Sequence, residues 1–221
     1  MEKFFNVHTN RKRGAPYAPT IKSNKDVYLS NCPECDRTRF NEENRDLSLV
    51  IEGYRKLPDG LLCGHYPLTI VSEKVIDIWQ KYNVSGYSYF PINKLFDMKG
   101  NEIYTECKYF NVITTGRAEL DFDKMNIHII SECSTCGYVE YNKETWEFGE
   151  AFYKDETYDD SDLFALKYFE KSLLCTKKIL EISYKEKLTG FQFKTFASMF
   201  IYINSPPAID LKDLFGNAKR D

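Results

Sequence analysis

The sequence predicts an α+β protein, with α/β as the neighbouring option, made of two pseudo-repeats of strand, CxxC knuckle, loop, helix and strand. Three observations predict this. Two CxxC pairs, Cys32-Pro33-Glu34-Cys35 and Cys133-Ser134-Thr135-Cys136, stand 101 residues apart. A short apolar stretch runs into each pair, Val27 to Asn31 in one case and His128 to Glu132 in the other. Residues Ile70 to Ile92 and Leu174 to Phe196 align without a gap at an offset of 104.

The elements follow in order. Asn10 to Lys25 is polar and basic, with Arg11, Lys12, Arg13, Pro16 and Pro19, and reads as a loop or an arm. Val27 to Asn31 reads as a strand entering the first knuckle. Ser72 then sets a helix N-cap, and Val75, Ile76 and Ile78 give the helix its apolar face. Gly86 supplies a left-handed stop, and Tyr87 and Tyr89 begin an alternating strand. In the second copy these positions are Thr176, then Ile179, Leu180 and Ile182, then Gly190, then Phe191 and Phe193. Chance likeness of two amphipathic helices is the alternative. Cap, glycine and cysteines aligning in the same order favour duplication. The halves are 1–100 and 101–221, one clamped unit with a C-terminal extension. That extension holds Met199 to Ile203, Pro206-Pro207 and a short helix near Leu211 to Phe215.

Four thiolates in two CxxC turns match a tetrahedral structural zinc site, so Cys32, Cys35, Cys133 and Cys136 are the expected ligands and zinc the expected cofactor. Metal binding and folding are then coupled, and loss of one sulfur is expected to cost much of the folding energy. The competing reading is two unrelated redox or buried pairs. A thioredoxin-type pair starts a helix beside a βαβ unit, whereas both pairs here follow a short strand. Cys63 and His65 are the alternative ligands, while Cys107 and Cys175 sit among apolar neighbours and read as core residues.

Of the 221 residues 43% are hydrophobic and 15% aromatic, enough for a sizeable core. A net charge of −3, from 30 basic and 33 acidic side chains, argues against a general nucleic-acid binder. No stretch has the length of a signal peptide or a membrane span, so a cytoplasmic protein is expected. Seven cysteines there read as ligands and buried thiols rather than disulfides. No HExxH, GxSxG or phosphate-binding glycine loop is present. His128 reads as structural. No enzyme activity and no small-molecule substrate are expected.

The knuckles and the second helix resemble the double-CxxCG motif family of bacterial proteins. The likeness rests on CPEC at 32–35, CSTCG at 133–137 and Leu68-Thr69-Ile70-Val71-Ser72. It continues through Asp162-Leu163-Phe164, Phe169, Thr176 and Gly190-Phe191-Gln192-Phe193, and so covers most of 27–196. One departure is Asp36 where the motif has glycine. Some members look like immunity proteins that neutralise a toxin in the producing cell. The resemblance therefore implies a cytosolic immunity protein that binds a cognate toxin stoichiometrically. The alternative is a nucleic-acid-binding, zinc-ribbon-like regulatory module.

A stretch of acids interleaved with aromatics suits a partner-binding surface: Glu144, Trp146, Glu147, Glu150, Phe152, Tyr153, Asp155, Glu156, Tyr158 and Asp159. The competing reading is a solvated loop whose aromatics cover the core and whose Asp160, Ser161 or Asp162 caps the next helix.

Overall fold

The computed structural model describes residues 3–9, 17–21, 29–40, 47–53, 56–63, 68–142 and 152–196. The architecture is mixed and sheet-rich, an α+β arrangement. Strands β1 (Phe4–Thr9), β2 (Tyr17–Ile21), β3 (Leu29–Asn31), β4 (Thr38–Phe40), β5 (Leu47–Glu52), β6 (Gly60–Cys63) and β7 (Thr69–Ser72) lead into helix α1 (Glu73–Lys81). Next come β8 (Tyr87–Asp97), β9 (Glu102–Ile103), β10 (Tyr109–Thr114), β11 (Gly116–Ala118), β12 (Ile129–Glu132) and β13 (Val139–Tyr141). After them follow β14 (Leu163–Leu166), β15 (Phe169–Thr176), helix α2 (Lys177–Lys185) and β16 (Phe191–Thr195). Among the described residues, no helix is long and apolar enough to cross a membrane.

One sheet runs β10-β7-β6-β2-β5-β8-β9, and a further pairing of β10 with β8 closes six of its strands into a circuit. The other sheet runs β11-β14-β15-β1-β16. The order β2-β6-β7-β10-β8 thus has its counterpart in β11-β14-β15-β1-β16. The registers correspond as well. Tyr109 faces Ser72 as Phe4 faces Thr176, and Thr114 faces Tyr87 as Thr9 faces Phe191.

The strand β1 therefore lies in the sheet made by the C-terminal part of the chain, and β10 lies in the sheet made by the N-terminal part. Both sheets take a strand from across the boundary expected near residue 100, since β1 pairs with β15 and β16 and β10 pairs with β7 and β8. These two strands carry the same motif, Lys3-Phe4-Phe5-Asn6-Val7 and Lys108-Tyr109-Phe110-Asn111-Val112.

The helices form where the sequence places them. Val75, Ile76, Ile78 and Trp79 are buried on α1, and Ile179, Leu180 and Ile182 on α2. Both faces enter one cluster with Phe5, Val71, Val112, Leu163 and Phe193, so the two helices share a core. Each fully buried side chain of this size contributes roughly 1.5–3 kcal/mol. A second cluster, around Leu49, Ile51 and Ile70, fills the closed circuit. A third gathers Phe4, Phe164, Leu166, Leu174 and Phe196 on the other sheet. Cys175 lies in the first cluster and Cys107 packs against the second, as core thiols.

Two local expectations need correction. Ser72 and Thr176 occupy the N-cap positions, but neither side chain caps its helix. Their hydroxyls donate instead to Asp59 Oδ1 and Asp162 Oδ1, both at 3.3 Å, which turns each side chain toward its carboxylate. The glycines do not stop the helices either. Asn83 (φ 50°) and Lys187 (φ 52°) take the left-handed position. Val84 N–H bonds to Trp79 C=O, and Leu188 N–H to Ser183 C=O, both at 2.9 Å, closing Schellman-type turns.

Gly86 and Gly190, both at φ +85°, serve a different contact. A Cβ on Gly86 would strike the backbone oxygen of Leu163, and one on Gly190 that of Gly60. Each glycine lets a strand start of one half press against the backbone of the other.

That contact is fastened twice in the same manner. Asp59 accepts from Thr189 N–H (2.7 Å) and Thr189 Oγ1 (2.8 Å), and Lys74 Nζ lies 3.4 Å away. Asp162 accepts from Ser85 N–H (3.0 Å) and Ser85 Oγ (3.4 Å), with Lys178 Nζ at 2.7 Å. Asp162 thus precedes a strand and latches the halves rather than capping a following helix.

Candidate metal centre

The two knuckles are built alike. Strand β3 pairs with β4, and β12 with β13, as separate two-stranded hairpins. In the first turn Cys32 N–H donates to Arg37 C=O and Asp36 N–H to Cys32 C=O, both at 2.8 Å. In the second, Cys133 N–H donates to Tyr138 C=O and Gly137 N–H to Cys133 C=O, again at 2.8 Å. The turn needs a left-handed fifth residue, supplied by Gly137 at φ 67° and Asp36 at φ 55°. Aspartate tolerates that region better than most side chains, and Asn31 Nδ2 donates to its Oδ1 at 3.2 Å. The missing glycine of the first motif therefore leaves the turn intact.

The fold brings the four cysteines together. Cys32 Sγ lies 3.7 Å from Cys133 Sγ, and Cys35 Sγ lies 3.5 Å from Cys136 Sγ. All four sulfurs fall within 4.8 Å of one another, and none is in a disulfide. A tetrahedral ion with metal–sulfur bonds of ~2.3 Å requires sulfurs about 3.8 Å apart. The donor set and its spacing therefore fit a metal ion of the zinc type. Cys32 is buried and the other three are half-buried. Of the alternative pair, Cys63 ends β6, while His65 lies outside the described residues.

The thiols hold their protons unequally. Cys32 is lowered to about 7, first by the backbone N–H of Cys35 and then by that of Glu34. Cys133 is pushed up to about 12, chiefly by burial. A metal ion binds these sulfurs as thiolates, so its binding releases their protons.

Two contacts tie the knuckles beyond the sulfurs. Glu34 of the first turn reaches into the second. Its Oε2 accepts from Thr135 Oγ1 (2.6 Å), Ser134 Oγ (3.0 Å) and Thr135 N–H (3.1 Å). These donors, the Thr135 hydroxyl first, hold its carboxyl down at about 2. The guanidinium of Arg37 lies 3.3 Å above the Tyr138 ring. Outer contacts of this kind orient ligands, and their loss typically costs about 10–100-fold in metal affinity. Glu34→Ala is accordingly expected to weaken zinc binding by at least ~10-fold, read by chelator competition against the unaltered chain.

The other sequence candidates divide. Glu144, Trp146, Glu147 and Glu150 lie outside the described residues, as do Arg11, Lys12 and Arg13 of the basic arm. Phe152 is half-buried. Tyr153 and Tyr158 pack edge-on against Phe4, with centroids 4.8 and 4.9 Å away, and are half-buried against the third core cluster. Their rings brace the sheet. Asp155, Glu156 and Asp159 are exposed. Asp155 lies 3.9 Å from Lys3 Nζ, and Asp159 Oδ2 accepts from Arg117 N–H at 3.0 Å. His128 is exposed just before β12.

Sequence reasoning missed Glu34, which carries no signal beyond its place between two cysteines. It also missed the latches at Asp59 and Asp162. There the signal was present, because each precedes its N-cap hydroxyl by 13 or 14 residues.

The fold and this centre define a class: an α+β protein whose two hairpins meet at four cysteines. No family model matches the chain, and a search of curated proteins returns no significant match.

Proposed function

We propose that the chain is a zinc-fastened binding protein of two pseudo-repeats, and that it acts in the cytosol as an immunity protein covering a cognate bacterial toxin one to one. The observation that carries a binding role is the four-sulfur centre. Four thiolates fill a tetrahedral ion, so the metal fastens two hairpins and offers no position to a substrate.

The pseudo-repeat is supported by the matching strand orders, the matching registers, the paired latches and the shared motif of β1 and β10. The immunity role is what the resemblance to double-CxxCG proteins implies. The exposed acids Asp155, Glu156 and Asp159 suit it, because negative charge speeds capture of a basic partner.

The test is binding of the purified chain to the product of its neighbouring gene, by gel filtration and titration calorimetry. A one-to-one complex is expected. The triple variant Asp155→Lys, Glu156→Lys, Asp159→Lys is expected to associate about 10-fold more slowly at low salt. No complex with that protein, together with DNA or RNA binding that falls steeply with salt, would replace this reading with the nucleic-acid one.

A further inference from the structure

Two sulfur contacts in the centre run between the hairpins: Cys32 to Cys133 at 3.7 Å and Cys35 to Cys136 at 3.5 Å. A disulfide needs about 2.05 Å, so each pair must close by only about 1.5 Å. The hairpins can make that movement. Among the described residues, the four cysteines lie outside the three core clusters, and β12 is exposed along its whole length. The remaining described cysteines cannot compete. Cys175 is fully buried in the first cluster, and Cys107 packs against the second.

Resting on the fastener reading above, we propose that the staple has a second, covalent form. Peroxide converts Cys32–Cys133 and Cys35–Cys136 into two cross-hairpin disulfides and expels the zinc, so the halves stay fastened after the metal has gone. For each pair, two thiolates give two electrons to one hydrogen peroxide. Two metal–sulfur bonds break and one sulfur–sulfur bond forms, and the peroxide takes two protons to leave as two waters. Two such steps free the Zn²⁺. Either fastener joins positions 101 residues apart, so the shape presented to a partner survives a change of redox conditions.

The experiment treats the full-length, zinc-loaded chain with hydrogen peroxide. Released zinc is followed with a coloured chelator, and disulfides are mapped by mass spectrometry of unreduced peptides. One zinc released per chain, with Cys32–Cys133 and Cys35–Cys136 peptides, is expected. The oxidised chain is also expected to melt above the reduced chain stripped with EDTA. Recovery of Cys32–Cys35 and Cys133–Cys136 peptides, or of sulfinic acids in place of disulfides, overturns the inference.

Two variants keep the test independent of metal loading. Cys32→Ser with Cys133→Ser retains a facing pair and is expected to cross-link as fast as the parent. Cys32→Ser with Cys136→Ser retains a diagonal pair, neither of the two contacts given above, and is expected to cross-link more slowly. Equal rates overturn the inference. A parent chain that carries no zinc before oxidant fails the fastener reading itself, whereas one that carries zinc and yields within-hairpin pairs fails only this inference.

Discussion

Replacing Cys136 with serine empties the metal centre, and the chain that results still folds. The parent is expected to carry one zinc per chain by elemental analysis, and the variant none after dialysis. Three sulfurs leave the ion short of its fourth ligand, and the remaining thiols regain their protons more readily than they hold the metal. The sequence alone suggested that such a loss would remove much of the folding energy. The structure narrows that effect, because the four cysteines stand outside the three core clusters. A ligand at 100 times its dissociation constant stabilises by about 2.7 kcal/mol. In a chain of this size 1 kcal/mol moves the melting midpoint by roughly 2–4 °C. The variant is thus expected to melt about 5–10 °C below the zinc-loaded parent. Calorimetry and near-ultraviolet dichroism check this. A variant without a cooperative transition would show that the metal organises the sheets themselves.

Cutting the chain between its halves leaves the halves together. The turn between β8 and β9 is exposed, with Met98 at 61%, and it accepts a specific protease site. After cleavage there, the N-terminal piece still holds β10 between β7 and β8, and the C-terminal piece still holds β1 between β15 and β16. Each piece supplies a strand that the other's sheet needs. Phe5 sits with the buried faces of both helices, and the Asp59 and Asp162 latches span the cut. The pieces are therefore expected to co-elute on gel filtration at ~1 μM with EDTA present, which corresponds to more than about 8 kcal/mol of association. They are expected to part only in denaturant. Separate elution in native buffer would mean that β1 and β10 do not hold the halves.

Both helices were legible because their signal is local. Val75, Ile76, Ile78 and Trp79 recur at helical spacing, and so do Ile179, Leu180 and Ile182. The cluster of four cysteines was legible because a CxxC turn presets two sulfurs whatever surrounds it. The duties of Ser72, Thr176, Gly86 and Gly190 were misread for one shared reason. Each was assigned to its own helix, while its partner lies elsewhere: the hydroxyls serve Asp59 and Asp162, and the glycines admit the backbones of Leu163 and Gly60. The aromatic rings of Tyr153 and Tyr158 looked available for a partner because sequence does not reveal that Phe4 arrives beside them from the other end of the chain.

By itself the sequence determined the chemistry of the centre and the elements on either side of it, because thiol spacing and apolar periodicity act within a few residues. Only the tertiary structure decided that Phe4–Thr9 pairs with β15 and β16 and Tyr109–Thr114 with β7 and β8, and that sulfurs 101 residues apart end 3.5 to 3.7 Å from one another. A strand's own pattern states which of its faces is buried. Which sheet edge receives it depends on the edges left open once the rest of the chain has packed, and that is a property of the whole fold.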